Sequence, residues 1–596
     1  MRSLMCESVF VDISIGLSYL WKWKSLVIFG ADRIFMNTIF TRPQGAIGSQ
    51  FVASLMLVFA LLSIAGAQSF TDRSDNLLSN TNFHSGVAMG VTDMNGDGLD
   101  DIIRLSGASN LFIEYQGAPN ATFTTLNYGD LGSGSEWSLC IGDVDGNGFN
   151  DVVAGGAYNN LKLLRANANG TNYTRTILPS SNIFLQGSNL VDINNDGFLD
   201  VYGCHDDGES RNYRNLGNGN FVFDNSLIDT TLPGSNEMNA GNYASIWTDY
   251  DNDGDLDMYL SKCRLGVNNF NDQRRINRLF QNDGNNNFTE VGAAAGLRIG
   301  DQTWATDFAD YDNDGDMDCF VMNHYTASYM MENNGDGTFT DVTSTSGLTA
   351  NDLDLFGIQS AFRDFDNDGF VDLVIAGSAQ RLFKNNGDGT FTRLPNPFNN
   401  NAMESFAIGD LNSDGYLDIY AGYARIFNSP TNIEDVVFIN DGGSNNFFSV
   451  LLEGTDSNIN GVGARLELHG DWGVQYREVR SGESYGIMNS LRQHFGIGSA
   501  TAISKLVVKW PSGTVDELLN PSINSLITFE EGSSPILPPT LLGDCDLNGV
   551  VNFFDITPFI DILSDETFLL EADCNEDGTV DFFDITPFID ILSEQE

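Results

Sequence analysis

Asp93-Met94-Asn95-Gly96-Asp97-Gly98-Leu99-Asp100-Asp101 is the stretch that decides the fold. Oxygen-bearing side chains stand at its first, third, fifth and ninth positions, with a glycine at the sixth. On a tightly curled loop such alternate oxygens converge on one point, and the glycine permits the turn that aims the position-7 carbonyl at the same point. The spacing D-x-(D/N)-x-(D/N)-G-x-x-D returns from Asp143, Asp192, Asp249, Asp310, Asp364 and Asp410. Steps of about 50 residues mark a repeat architecture.

Each copy defines a ligand set. The first is Asp93, Asn95, Asp97, the Leu99 carbonyl and Asp101. The next two are Asp143, Asp145, Asn147, Phe149 and Asp151, then Asp192, Asn194, Asp196, Phe198 and Asp200. The fourth and fifth are Asp249, Asp251, Asp253, Asp255 and Asp257, then Asp310, Asp312, Asp314, Asp316 and Asp318. The last two are Asp364, Asp366, Asp368, Phe370 and Asp372, then Asp410, Asn412, Asp414, Tyr416 and Asp418. Hard oxygens in this number suit Ca²⁺, and the lack of His or Cys among them argues against zinc or copper. The loops starting at Asp249, Asp310 and Asp364 carry Asp at all four side-chain positions and are expected to bind most tightly.

Apolar alternation follows each loop, as in Leu256-Asp257-Met258-Tyr259-Leu260, and reads as strand. Later in each repeat come another strand and a Gly/Asn turn, as in Leu382–Thr392. Four short strands per repeat make one propeller blade, and seven blades close a ring without exposed edges. An EF-hand is the competing reading of the loop, opposed by the period-2 flanks and by the missing Glu at position 12. The expected fold class is therefore mainly β: a seven-bladed calcium-binding β-propeller over residues 72–445, a small β-rich domain over 446–530, and a small helical calcium domain over 543–596.

The seven loops with their trailing N-(D/N)-G-x-x-x-F turns resemble the FG-GAP/VCBS repeats of integrin-type β-propellers. That resemblance implies Ca²⁺ at these loop positions, about seven ions in the ring, and a protein or glycan ligand. Beyond the ring, the strings NGVGARLEL, REVRSGESYGIMNS, HFGIG and VVKWPSG resemble the ASPIC/UnbV domain. His494 lies in the HFGIG string without an accompanying Ser or Cys motif and reads as structural.

After a Pro-containing linker at 531–542 comes a 29-residue tandem repeat. One copy places Asp544, Asp546, Asn548, Val550, Asn552 and Asp555 at EF-hand loop spacing. The other places Asp573, Asn575, Asp577, Thr579, Asp581 and Asp584 there. Each loop runs into an identical 12-residue apolar segment of helical length, 553–564 and 582–593. Such loop-helix pairs resemble a bacterial type I dockerin. The resemblance implies two further Ca²⁺ ions, a cohesin-like partner, and partner selection at Phe553, Phe554, Phe582 and Phe583, which read equally well as core of a small domain.

Composition bounds the partners. The 596 residues carry 81 Asp+Glu against 29 Lys+Arg, a formal net charge of −52, which opposes nucleic-acid binding. With 41% hydrophobic and only 18% charged residues the acid is not that of a disordered chain. Phe51–Ala65 is an apolar-to-small run followed by Ala65-Gly66-Ala67, read as a secretory leader over 1–67 cut near Ala67, with Met36 as an alternative start. An uncleaved anchor is the alternative; otherwise the mature chain is expected to have no membrane span and to be secreted or at a bacterial cell surface. Cys204 and Cys263, at similar offsets in consecutive repeats, are either a disulfide pair or two buried thiols.

Function is read as a secreted, calcium-binding interaction or adhesion protein, the propeller recognising a ligand and the tail attaching it. No nucleophile elbow, HExxH or other catalytic motif accompanies the repeats, and no catalytic residue is assigned. An extracellular polysaccharide-acting enzyme or its accessory subunit is one alternative. A structural surface or matrix protein with a self-associating tail is the other.

Overall fold

Every Asp loop opens where one strand ends and closes where the next begins. The computed structural model describes residues 28–30, 33–35, 68–132, 134–231, 239–324, 326–353, 355–425, 429–533, 545, 556–565, 572, 574 and 585–594. Two units are distinguished, Met1–Ala67 and Gln68–Glu596. In the first, Ile28–Gly30 pairs antiparallel with Arg33–Phe35.

In the second unit seven antiparallel sheets repeat one plan. First strands end immediately before the position-1 Asp and second strands start on the position-9 Asp, so Thr92 pairs with Asp101, Thr248 with Asp257 and Gly409 with Asp418. The other four loops keep the same register. Strand-loop-strand geometry at all seven sites excludes the helical EF-hand there. First strands 85–92, 136–142, 185–191, 242–248, 303–309, 357–363 and 405–409 pack each on the next, and the last returns to the first. They line the axis of a closed ring. Sandwiched between neighbours, the first strand Ser85–Thr92 and second strand Asp151–Gly156 are buried at every position, whereas the outer strand Tyr173–Ile177 is mostly exposed. Short runs with both faces apolar are the consequence.

The seventh sheet takes its outermost strand from far upstream. Phe70–Asp72 pairs with Val436–Asn440, with Phe70 opposite Asn440, so a segment preceding the first sheet fastens the last one.

Residues 446–530 form two further sheets. Asn446–Glu453 pairs with Gln493–Gly498 and, in parallel, with Ser525–Glu530. Arg465–Gly470 lies between Gly473–Glu478 and Lys505–Lys509. The core of this module is continuous with that of the ring: Leu466, Val479 and Met488 share one cluster with Leu139, Ile141 and Val152.

The connection lies along the axis. Residues 481–491 leave this module and touch every first strand. Ile487–Met488 pairs with Met89–Gly90, and Ser481 Oγ donates to Ile141 O (2.7 Å). Asn189 Nδ2 donates to Gly482 O (2.7 Å), and the Tyr485 ring packs on Tyr243 and Trp304. Gln359 Nε2 donates to Tyr485 O (2.9 Å), and Ile408 N donates to Asn489 Oδ1 (2.9 Å). Gly482 and Gly486 hold φ of 82° and 72°, and a Cβ on either would meet backbone oxygen at 2.2 Å. Only glycine fits at these two positions.

Helices Ile556–Asp565 and Ile585–Glu594 lie in the tail. Phe559 and Phe588, equivalent in the two copies, stack 4.0 Å apart over a core that includes Cys545 and Cys574.

Candidate metal centres

Each ring loop is built on a carboxylate scaffold. In the fourth loop Asp249 Oδ1 accepts from Asp253 N (3.0 Å) and Oδ2 from Gly254 N (3.1 Å), while Asp253 Oδ1 accepts from Asp255 N (3.1 Å). Positions 4 and 6 are left-handed throughout: Gly96, Gly146, Asn195, Asn252, Asn313, Asn367 and Ser413 at the former, glycine at the latter. The position-9 Asp has a second task. Asp372 Oδ2 accepts from Phe365 N (3.2 Å) and Oδ1 from Asn385 N (2.8 Å), pinning the loop to the third strand.

Among the described residues, oxygens of positions 1, 3 and 9 converge in four of the seven loops, those starting at Asp143, Asp249, Asp310 and Asp364. Side-chain oxygens of Asp143, Asp145 and Asp151 lie within 4.8 Å of one another, as do those of Asp249, Asp251 and Asp257, of Asp310, Asp312 and Asp318, and of Asp364, Asp366 and Asp372. At position 3, Oδ1 of Asp145, Asn194, Asp251 and Asp312 is buried with no hydrogen-bond partner. Leaving a buried acceptor unpaired costs about 1–3 kcal/mol, more when it is charged. A hard cation relieves that cost at all four atoms together, so the donor set fits Ca²⁺. Where Asn stands at position 3 the loop satisfies itself in part: Asn95 Nδ2 donates to Asp97 Oδ2 (3.0 Å), Asn194 to Asp196 (2.9 Å) and Asn412 to Asp414 (2.7 Å).

Burial, outweighing the backbone donors, pushes the Asp151 carboxyl up to about 8, Asp257 to about 9 and Asp200 to about 8. Asp310 rises to about 7 through burial and then through Asp314 and Asp312, and Asp364 to about 8 through burial and then Asp368 and Asp366. Without a cation these groups hold protons near neutrality; a divalent ion reverses that balance.

Residues outside the motif complete the rim. Position-4 asparagines link successive loops, with Asn313 Nδ2 donating to Gly369 O (3.1 Å) and Asn367 Nδ2 to Gly415 O (2.8 Å). From the second module Arg465 donates to Asn252 Oδ1 and to Gly315 O (2.5 Å), and Arg492 donates to Gly98 O. His494 is buried between Ser449 Oγ (2.8 Å) and Asn367 Oδ1 (2.7 Å), and burial, then Arg477 and Arg492, push it down to about 3. It is a neutral clamp between module and loop. The left-handed asparagines are visible in the sequence as G/N/S at position 4; the arginine contacts carry no local signal.

Cys204 and Cys263 are not bridged. Both are free and buried, with Cys204 Sγ 3.4 Å from Ser245 Oγ and Cys263 Sγ accepting from Trp304 Nε1 (3.2 Å). Each packs toward the first strand of the following sheet, so equivalent offsets place them around the ring rather than face to face. The tail ligands Asp544, Asp546, Asn548, Val550, Asn552, Asp555, Asp573, Asn575, Asp577, Thr579, Asp581 and Asp584 lie outside the described residues, as do Phe553, Phe554, Phe582 and Phe583.

Ring closure by the first strands, sheets built outward from them, and a carboxylate loop at the same joint of each sheet define a β-propeller with candidate cation loops. Residues 93–154, 143–203, 192–260, 265–321, 310–375 and 364–421 match the FG-GAP-like repeat, and together they span more than half of the chain. The chain belongs to the FG-GAP-like repeat family. Residues 454–536 match the family described as ASPIC and UnbV. Cartilage acidic protein 1 of Mus musculus is 28% identical over 256 residues, 40% of this chain and 38% of that protein. The Homo sapiens protein of that name is 27% identical over 261 residues, 40% of this chain and 37% of its own length. The chain thus spans well under half of these relatives. Among solved structures, an Agrocybe aegerita lectin recognising non-reducing terminal N-acetylglucosamine aligns with 20% identity and a TM-score of 0.40, over 58% of this chain and 89% of that one. Among the described residues no helix is long and apolar enough to cross a membrane.

Proposed function

We propose that the chain is an extracellular, calcium-stabilised recognition protein: a seven-bladed propeller with one Ca²⁺ per loop, closed along its axis by its own residues 481–491, and a dockerin-like tail with two more ions. The observation that carries this reading is the set of buried, unpartnered position-3 oxygens at Asp145, Asn194, Asp251 and Asp312. The filled axis favours binding over catalysis, because the channel where a propeller houses a small substrate is taken by Tyr485 and its neighbours. Recognition then falls to the outer loops, with a protein or glycan as ligand. Secretion rests on the leader-like run ending at Ala67, where the first unit also ends. In the tail, Ile560 and Ile589, 55% and 57% exposed at equivalent positions, offer two like faces to a cohesin-like protein or a second copy.

The test is binding of the full chain to glycan arrays and to immobilised extracellular proteins in Ca²⁺ and in EGTA. Stable retention that requires calcium and leaves the ligand unmodified is expected; turnover of a polysaccharide without stable retention would overturn the reading in favour of an enzyme.

A further inference from the structure

One residue beside the loop varies from sheet to sheet, although the loops repeat. It is the third-strand residue just before the partner of the position-9 Asp: Arg165, Arg214, Gln281, Glu332 and Lys384 in sheets two to six. In the fourth sheet it is neutral, and Gln281 Nε2 donates to Asp251 Oδ2 (2.6 Å). In the fifth it is a further acid, since Glu332 accepts from Tyr311 OH (3.2 Å) and adds its charge to that of Asp312. In the sixth it is a cation. Lys384 Nζ donates to Asp366 Oδ2 and to Asp368 Oδ2 (2.6 Å), which are the third- and fifth-position ligands of that loop.

We propose that Lys384 is a built-in counter-ion that makes the sixth loop the weakest calcium site among the three fully acidic loops. The sequence alone ranks the loops at Asp249, Asp310 and Asp364 together, by ligand charge. Lys384 separates them. An ammonium has three donors and no acceptor, so it contributes nothing to a cation's shell and repels the incoming ion. For Ca²⁺ to gather Asp366 and Asp368, Lys384 has to swing out, and its four-carbon stem allows that movement. Position-3 amides differ in this respect: Asn95, Asn194 and Asn412 also donate to the fifth-position carboxylate, yet each keeps an oxygen for the ion. The order among the fully acidic loops is therefore fifth, with Glu332, then fourth, with Gln281, then sixth. The same ion pairs hold the sixth loop together when calcium is withdrawn, so that among the three fully acidic loops it depends least on the metal.

This inference rests on the reading of the loops as calcium sites, and the experiment separates the two. Calcium is titrated calorimetrically into the full chain as wild type, Lys384→Gln, Lys384→Arg and the double variant Lys384→Gln with Asp366→Asn. Removing the charge should shift one equivalent of weakly bound calcium to an affinity on the order of 10-fold tighter or more. Lys384→Arg should titrate like wild type, and Asp366→Asn should erase the gain. In EGTA the Lys384→Gln chain should melt below wild type, while in calcium the two melt together, which also reports that the variant folds. Identical isotherms for wild type and Lys384→Gln, or a gain that survives Asp366→Asn, would refute the role of Lys384 alone. A wild-type chain that binds no calcium would remove the underlying reading, and this inference with it.

Discussion

The rim loops and the axial segment of the ring solve the same problem in opposite ways. Both bury polar groups between sheets. At the rim, Asp145, Asp251 and Asp312 each keep a buried oxygen with no donor from the chain, whereas at the axis Ser481, Gly482, Tyr485 and Asn489 find donors or acceptors on the surrounding first strands. Read as calcium sites, loops with such an orphaned oxygen call for an outside cation, whereas the axial segment is held by groups of the chain itself. If the loops hold calcium, the ring has two independent fastenings, one set by calcium concentration and one set only by folding.

The sharpest way to break that contrast is at the axis. Tyr485 is fully buried against Tyr243 and Trp304, so Tyr485→Ala should cost about 3–5 kcal/mol, the range for large aromatic truncations. If the two fastenings are independent, denaturant unfolding will give the same loss in calcium and in EGTA. A loss seen in only one of the two conditions would show that axis and rim act as a single element.

A smaller effect sharpens it from the rim. In the absence of calcium, burial holds Asp151, Asp200, Asp257 and Asp364 at about 8 to 9, far above the usual carboxylate range. Folded-state values above the unfolded ones mean that the folded chain binds more protons, so this stability is present at acid pH and is lost as pH rises through about 8. In EGTA the melting temperature should fall steadily from pH 5 to pH 8.5. Saturating calcium should flatten or invert that slope, because the ion prefers the ionised carboxylates. Equal slopes in the two conditions would mean that the loops do not exchange protons for metal.

What was readable in the sequence divides along the same line. Position-9 aspartates opening each second strand, and the glycines and asparagines in left-handed turns, are local requirements repeated seven times, so the pattern exposes them. Phe70–Asp72 completing the last sheet, and residues 481–491 running down the axis, are single events joining parts hundreds of residues apart. No period announces them. The strings around Gly482 and Gly486 indicate a family, but the need for glycine there comes from carbonyls of other strands. Lys384 is hidden for a related reason: its meaning depends on strand pairing that brings it beside Asp366. Cys204 and Cys263 show the converse: of the two readings the buried thiols hold, since matched offsets in a rotational repeat mean equivalent surroundings, not proximity.

Calcium held by the carboxylate loops is directly measurable. Equilibrium dialysis of the full chain against buffered Ca²⁺, followed by metal analysis and by near-ultraviolet dichroism before and after EGTA, tests it most directly. About nine ions per chain are expected, seven from the ring and two from the tail, with a dichroism signal that collapses on chelation. A chain that retains no calcium at millimolar free ion, or whose dichroism and melting temperature are unchanged in EGTA, would contradict it.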